Sequence, residues 1–469
     1  EKAVYPFLGE RRSVDDVEAA RLALEEAYHK AGYLTVLVDL PEQEVGGGVV
    51  RLEVTEGEIE RLRVVGSRYY SLGRIKSAAP ELAEGNVPYF PEMQKQLVGL
   101  SRSADRKVTP VLRPGRTPGK VEVDLKVEDR LPLHGNLELN DRYTASTTRT
   151  RLSGSLRYDN LFQREHSLSL GFQLAPEEPK DSKVFTATYV VPLRSGDFLA
   201  AYGVISKSDV APTGDISTIG NGNIVGLRYI RPLRPGKDYY HNLAFGADYK
   251  DFGETINLLG ADSFNRPVSY APFSLGYDGT LRAGDRSTNF NLAFNFLLRG
   301  LGNDSNEFAN KRVGAETNYA FLRANLKHVE PLPAGWKLAG HLSAQLASGP
   351  LISNEQFSAG GVESVRGYLE SNSLGDDGVT GGLELRTPSM AKRVSERMTD
   401  LTAYAFVEGG TARVRQALMG GFAGSRIMEV HGQRMLDDNF KPGFKAELHN
   451  KDLKNAIETA RDLGLALGR

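Results

Sequence analysis

The sequence predicts a chain in three parts: two tandem α+β units, a membrane-spanning antiparallel β-barrel, and an α-helical tail. Three observations carry this. The first 130 or so residues repeat one order of helices and strands. From about residue 133 to residue 411, apolar and polar residues alternate in runs of strand length. After Val414 that alternation stops and helical spacing takes over.

In the first part, Ser13 is placed to cap a helix, with Asp16 in its first turn and Gly32 at its end. Val17, Leu24, Tyr28 and Ala31 fall near one face of that helix. Strands follow around 35–40 and 49–55, separated by Gly46-Gly47-Gly48. A second unit opens with a strand from Glu58 to Val65. Helices near 72–79 and 88–104 come next, the latter inward through Met93, Leu97 and Leu100. Strands around 108–112 and 121–127 close the unit. The order is β-α-α-β-β, and the preceding unit reads as the same order without its first strand.

In the second part, Leu152, Gly154, Leu156 and Tyr158 alternate with Arg151, Ser153, Ser155 and Arg157. Leu168 to Leu174, Phe290 to Phe296 and Leu338 to Leu346 repeat the pattern. Tight joints at 192–197 and 231–237 contrast with long polar connections at 208–222 and 300–312. Short turns on one side and long loops on the other suit an outer-membrane barrel. The pattern gives about 13 strands between Leu133 and Thr411, and single-chain bacterial barrels use even numbers, so the barrel is expected to be incomplete. A soluble β-sandwich or propeller also alternates, but propeller blade signatures are missing. In the third part, 416–432 and 451–465 read as helices around a loop at 439–444.

Composition narrows the function. Lys and Arg number 58 against 59 Asp and Glu, so no long-range field draws nucleic acid, and none is expected as a partner. Cysteine is absent, which excludes disulfides, thiolate zinc sites and a cysteine nucleophile. Mean hydropathy is −0.35, and no run of about 18 apolar residues exists to form a transmembrane helix. The eight histidines show no metal spacing. Asp376-Asp377 and Glu25-Glu26 read as charge pairs of wet faces. The chain opens on Glu1 and reads as a processed form or a fragment.

The most informative segment runs Gly360-Gly361-Val362-Glu363-Ser364-Val365-Arg366-Gly367-Tyr368, then Gly375-Asp376, then Gly381 to Pro388. It resembles the two-partner secretion transporters, within the superfamily of barrels that carry polypeptide-transport-associated (POTRA) domains. Gly32-Tyr33 with Val54 to Ile59, Arg113-Pro114-Gly115 with Gly119-Lys120-Val121, and Asn140 to Leu170 agree with it. The resemblance covers roughly residues 10 to 411. It implies POTRA domains at 1–57 (first strand missing) and 58–131, a barrel of about 13 of 16 strands at 132–412, and a tail at 413–469 foreign to the barrel.

In that family a Val-Arg-Gly-Tyr tip, here Val365, Arg366, Gly367 and Tyr368, sits on a loop folded into the lumen. A Phe-x-Asp-x-Gly strand holds the arginine. Here the motif reads Phe406, Glu408 and Gly410, with glutamate for the usual aspartate. The implied function is export of an unfolded exoprotein, caught by the POTRA domains and passed through the barrel. The implied setting is a Gram-negative outer membrane, with the N-terminal domains periplasmic. Lipid and the barrel-insertion machinery are the further partners, and no catalytic residue, metal or cofactor is expected. A barrel that assembles other outer-membrane proteins is the alternative within the superfamily.

The tail carries a second resemblance. Ala417 to Ser425, Glu429 to Gly432, Pro442 to Lys445 and His449 to Leu453 resemble the helical domain of β-hydroxyacid dehydrogenases of the tartronate-semialdehyde reductase type. No Gly-x-Gly-x-x-Gly follows a strand, and the upstream helix that holds that family's catalytic lysine is missing. A fragment of a hydroxyacid reductase is therefore the remote alternative, and a chimeric C-terminus the expectation.

Overall fold

The computed structural model describes residues 1–415, apart from 46, 146, 209–210, 214–215, 220, 254, 258–262, 266 and 313. The two tail helices expected from the sequence lie outside the described residues. By packing, the chain falls into two compact units. One holds Glu1–Leu139, Leu152–Leu174 and Phe185–Val204; the other holds Asn140–Arg151, Ala175–Val184 and Ile205 onward.

The first unit opens with a 3-10 turn at Tyr5–Phe7, then helix α1 (Val14–Lys30) and strands β1 (Leu37–Asp39) and β2 (Glu53–Thr55). Ser13 and Asp16 form a reciprocal capping box: the Asp16 N–H donates to Ser13 Oγ at 3.2 Å, and the Ser13 N–H to the Asp16 carboxylate at 2.8 Å. Gly32 follows at φ 98°, a left-handed position where glycine costs nothing. None of the residues of α1 is buried. The face that carries Val17, Leu24 and Tyr28 is only half-covered, and Ala31 is exposed. The cause is the two-stranded sheet of three-residue strands beside it, too small to cover a helix of 17 residues. Glu25 is no wet-face charge either, because it accepts the Val38 N–H at 3.1 Å and Arg21 at 3.0 Å.

The next elements are β3 (Glu58–Val65), α2 (Leu72–Ser77), α3 (Phe90–Leu100), β4 (Arg106–Pro114) and β5 (Lys120–Asp129). Their sheet runs β3-β5-β4, with β3 parallel and β4 antiparallel to β5. Both helices lay apolar residues on it, giving a core of Ile59, Leu62, Ile75, Leu82, Val123 and Leu125. Each such side chain removed from water contributes about 1.5–3 kcal/mol, which the two-stranded neighbour has little of.

The long strands begin with β6 (Leu133–Asn140), β7 (Arg151–Leu161), β8 (His166–Leu174), β9 (Lys183–Pro192) and β10 (Phe198–Ser206). A short hairpin, β11 (Ala211–Thr213) and β12 (Ile216–Ile219), precedes β13 (Gly222–Pro232) and β14 (Tyr239–Phe252). After another, β15 (Thr255–Asn257) and β16 (Ser263–Asn265), come β17 (Val268–Tyr270), β18 (Phe273–Ala283) and β19 (Arg286–Phe296). Helix α4 (Ser305–Lys311) leads to β20 (Ala320–Pro331) and β21 (Lys337–Ala347). Then follow β22 (Phe357–Ala359), β23 (Ser373–Gly375), β24 (Asp377–Arg386), α5 (Ala391–Val394) and β25 (Tyr404–Arg413).

The main sheet follows the path β25-β24-β21-β20-β19-β18-β14-β13-β10-β9-β8-β7-β6, with β17 added on β14. Thirteen strands on this path agree with the number read from alternation. Among the described residues no pairing joins β6 to β25, so the sheet is not closed. The connection at 300–312 is not all loop: Asp304 caps α4 by accepting the Asn306 N–H at 2.7 Å.

In the second unit the register sorts residues by face. Asp278, Asn291, Asn325, Ser343, Thr380 and Gly410 form one cross-strand row on the polar face. Leu275, Phe294, Leu322 and Leu346 form a row on the other, and all four are exposed. A sheet with one wet face and one uncovered apolar face is what a lipid-facing barrel wall requires.

Candidate functional site: a loop laid on the polar face

The connection between β21 and β24 runs from Ser348 to Asp376 and carries the Val-Arg-Gly-Tyr tip. Gly360, Gly361 and Gly367 turn the chain at φ 106°, 103° and 92°. At the first two a side chain would also strike Leu369 and Glu370. The turns bring Arg366 onto the polar face of β24 and β25. Its backbone N–H donates to Glu408 at 2.7 Å and its Nε at 2.8 Å, and its Nη2 also meets the Glu408 carboxylate. Its Nη1 donates to Glu384 at 2.6 Å. The guanidinium lies 3.6 Å above the centre of the Phe406 ring. The Glu408 bonds, foremost, with those from Glu384, outweigh burial and raise the arginine pKa, so it stays charged.

Among the sequence-predicted site residues, Arg366, Phe406 and Glu408 therefore meet. Val365 is buried, while Tyr368 is 62% exposed. Gly410 faces Thr380, and a Cβ there would lie 2.6 Å from the threonine methyl. The glutamate at 408 has a structural counterpart. Gly382 lies across from it in the ladder, and a Cβ there would lie 2.4 Å from Glu408 Cγ. The longer acid bends over a position with no side chain.

The base of the loop is held separately. Asp376 is fully buried and accepts from Arg312 at 2.5 and 2.8 Å, the Arg415 N–H at 2.7 Å, the Leu351 N–H at 2.9 Å and Gln356 at 3.2 Å. Burial alone would raise its carboxyl pKa; these donors outweigh it and hold it low. This corrects the reading of Asp376 as a wet-face charge: two adjacent acids look alike in sequence, and only the folded loop buries one. Glu355 takes Lys250 and the Tyr270 hydroxyl, each at 2.6 Å.

Sequence reasoning missed Glu384 and Asp376 as partners. Glu384 had a signal, since it lies two residues along the strand from Gly382 on the same face. Among the described residues one group of side chains, Asp105, His134 and Asp159, has metal-ligand atoms within 4.8 Å. Its spacing in sequence gave no hint. Both carboxylates already bond arginines, Arg130 at 2.7 Å and Arg157 at 2.9 Å, so the group forms an ion-pair network.

Residues 119–427 match the haemolysin secretion/activation protein family ShlB/FhaC/HecB, and residues 1–57 match the ShlB-type POTRA domain. The outer membrane transporter CdiB of Dickeya dadantii is 24% identical over 410 residues, covering 86% of this chain and 71% of that protein. In structure, CdiB from Escherichia coli aligns with TM-score 0.57 and 19% identity, over 90% of this chain and 78% of that one. BamA from Haemophilus ducreyi lacking POTRA domains 1–3 aligns at 0.54 and 13%, over 94% and 88%. Residues 410–468 match the NAD-binding domain of NADP-dependent 3-hydroxyisobutyrate dehydrogenase. Over 55 residues the chain is 64% identical to 2-hydroxy-3-oxopropionate reductase of Escherichia coli, spanning 12% of this chain and 19% of that enzyme.

Proposed function

The chain belongs to the haemolysin secretion/activation protein family, and on that premise we propose that it captures an unfolded exoprotein with its N-terminal α+β units and passes it along the polar face of the strands. It is an outer-membrane transporter, with POTRA domains that lie in the periplasm. It is a transporter rather than an enzyme, for the dehydrogenase match is a short C-terminal piece.

The observation that carries the mechanism is the tip of the 348–376 loop, pinned by Arg366 to Glu408 and Glu384. A polar wall offers an extended chain hydrogen-bonding partners without a deep binding well, and a folded-in loop keeps that wall covered at rest. Export therefore requires the tip to give way, and three charged groups set how easily it does so. No covalent step is involved. The exposed apolar rows face lipid, and the strands reach it by way of the barrel-insertion machinery. The boundaries 1–57, 58–131, 132–412 and 413–469 divide the work between capture, passage and a tail foreign to both.

Deleting 58–129 tests the reading. Export of the partner exoprotein is expected to stop while the β-sheet part still reaches the outer membrane. Undiminished export by the deletion would overturn it.

A further inference from the structure

The turn between β7 and β8 closes with Leu161 opposite His166, and three of its residues adopt backbone angles that side chains avoid. Phe162, Gln163 and Glu165 sit at φ 58°, 56° and 59°, and none is glycine. Such a conformation persists only where its surroundings impose it.

Those surroundings are the second α+β unit, packed with β7 and β8 in the same compact unit. Gln163 accepts the Ser71 N–H at 2.8 Å and donates to the Tyr69 carbonyl at 3.0 Å. Asn160, 2% exposed, donates to the same carbonyl at 3.1 Å. Glu165 takes Nη2 of Arg106 at 2.5 Å, and that arginine is itself buried, with its guanidinium over the Tyr70 ring. The receiving loop is organised in turn by Asp129, which accepts the Ser67 hydroxyl and the N–H groups of Arg68 and Tyr69.

We propose that the β7–β8 turn is a docking key, which holds the second α+β unit at a fixed angle to the first barrel strands. Gln163 and Arg106 are its positioning residues. The strain in the turn is the mark of that docking: two amide hydrogen bonds and a part-buried ion pair hold residues 162–165 where they would not otherwise stay. A sheet that receives an unfolded chain is then aimed at the strands rather than left to swing. This deepens the transporter reading and rests on it only for the effect on export.

The absence of cysteine makes the test direct. Spin labels go on Lys95→Cys in α3, whose side chain is 77% exposed, and Arg194→Cys in the exposed β9–β10 turn of the full chain in lipid nanodiscs. The parent is expected to give one narrow distance distribution. Gln163→Ala, at an exposed position, should broaden it at least two-fold, and Arg106→Ala should do the same. Phe162→Gly, which keeps the docking side chains and tolerates the backbone angle, should leave it narrow. A broad parent distribution, or an unchanged one in Gln163→Ala, overturns the proposal. Export by Gln163→Ala should fall several-fold. Lost export with an unbroadened distance would overturn the key and spare the transporter reading. A broadened distance beside a parent that exports nothing would do the reverse.

Discussion

Glu408 is 3% exposed in its side chain and takes three donors from Arg366, two of them from the guanidinium, so truncating that side chain leaves the carboxylate with the backbone N–H alone beside a second acid, Glu384. Breaking a buried pair in this way costs about 3–5 kcal/mol. Arg366 is 22% exposed, so the lower end applies. Arg366→Ala is expected to raise amide exchange across 361–370 while the Asp376-held base at 351–357 stays protected. Equal loss of protection at both ends would show that the loop has a single lock. Gly382→Ala should loosen the tip as well, because its methyl would overlap Glu408. Glu408→Asp, one methylene shorter, should rescue it. Coupling of at least about 1 kcal/mol is expected for residues in contact, and additive effects in that double-mutant cycle would dismiss the steric account. The arginine and its acid were legible as motif residues. Glu384 was missed although its place on the same strand face as Gly382 was readable, whereas the burial of Asp376 was not, because it depends on where a 29-residue connection comes to rest.

At the scale of elements, the second α+β unit leans on depressed carboxylates. Burial alone would raise Asp129; the N–H of Tyr69, the Ser67 hydroxyl and the N–H of Arg68 outweigh it and hold the pKa below its ordinary 3.8. Asp105 is likewise pushed up by burial and brought lower by His134 and Arg130. A carboxyl whose folded pKa is depressed contributes stability above its unfolded value and loses it as pH falls through the folded one. Exchange from α3 and β4 in the full chain should therefore rise steeply below about pH 4, and a flat profile down to about pH 2 would remove these acids from the account. The strands of this unit were legible to within two residues at either end, since hydrophobic periodicity and turn glycines agree there. The extent to which the apolar face of α1 is covered was not, because periodicity shows which side is apolar and says nothing of how much sheet exists to cover it. The left-handed residues of the β7–β8 turn left no trace in Phe-Gln-Arg-Glu, for their angles come from a contact distant in sequence.

For the whole molecule, the sole tryptophan is a built-in depth gauge. Trp336 stands in the β20–β21 turn at 38% exposure, next to strands whose outer rows are apolar. Tryptophan favours the level of lipid headgroups. Its fluorescence in vesicles should be quenched more by lipids brominated near the headgroup than by those brominated at the chain end. Quenching by aqueous acrylamide as strong as that of the free amino acid would place the turn outside the membrane. The rows themselves bear on a different matter, the route by which such a chain travels. Leu275, Phe294, Leu322 and Leu346 are each followed by a polar or small residue, so apolar character exists only after the strands have paired. In transit no stretch of about 18 residues offers hydrocarbon a continuous apolar surface. A polypeptide bound for the outer of two membranes can thus slip through the inner one unarrested, its lipid affinity withheld until folding assembles it.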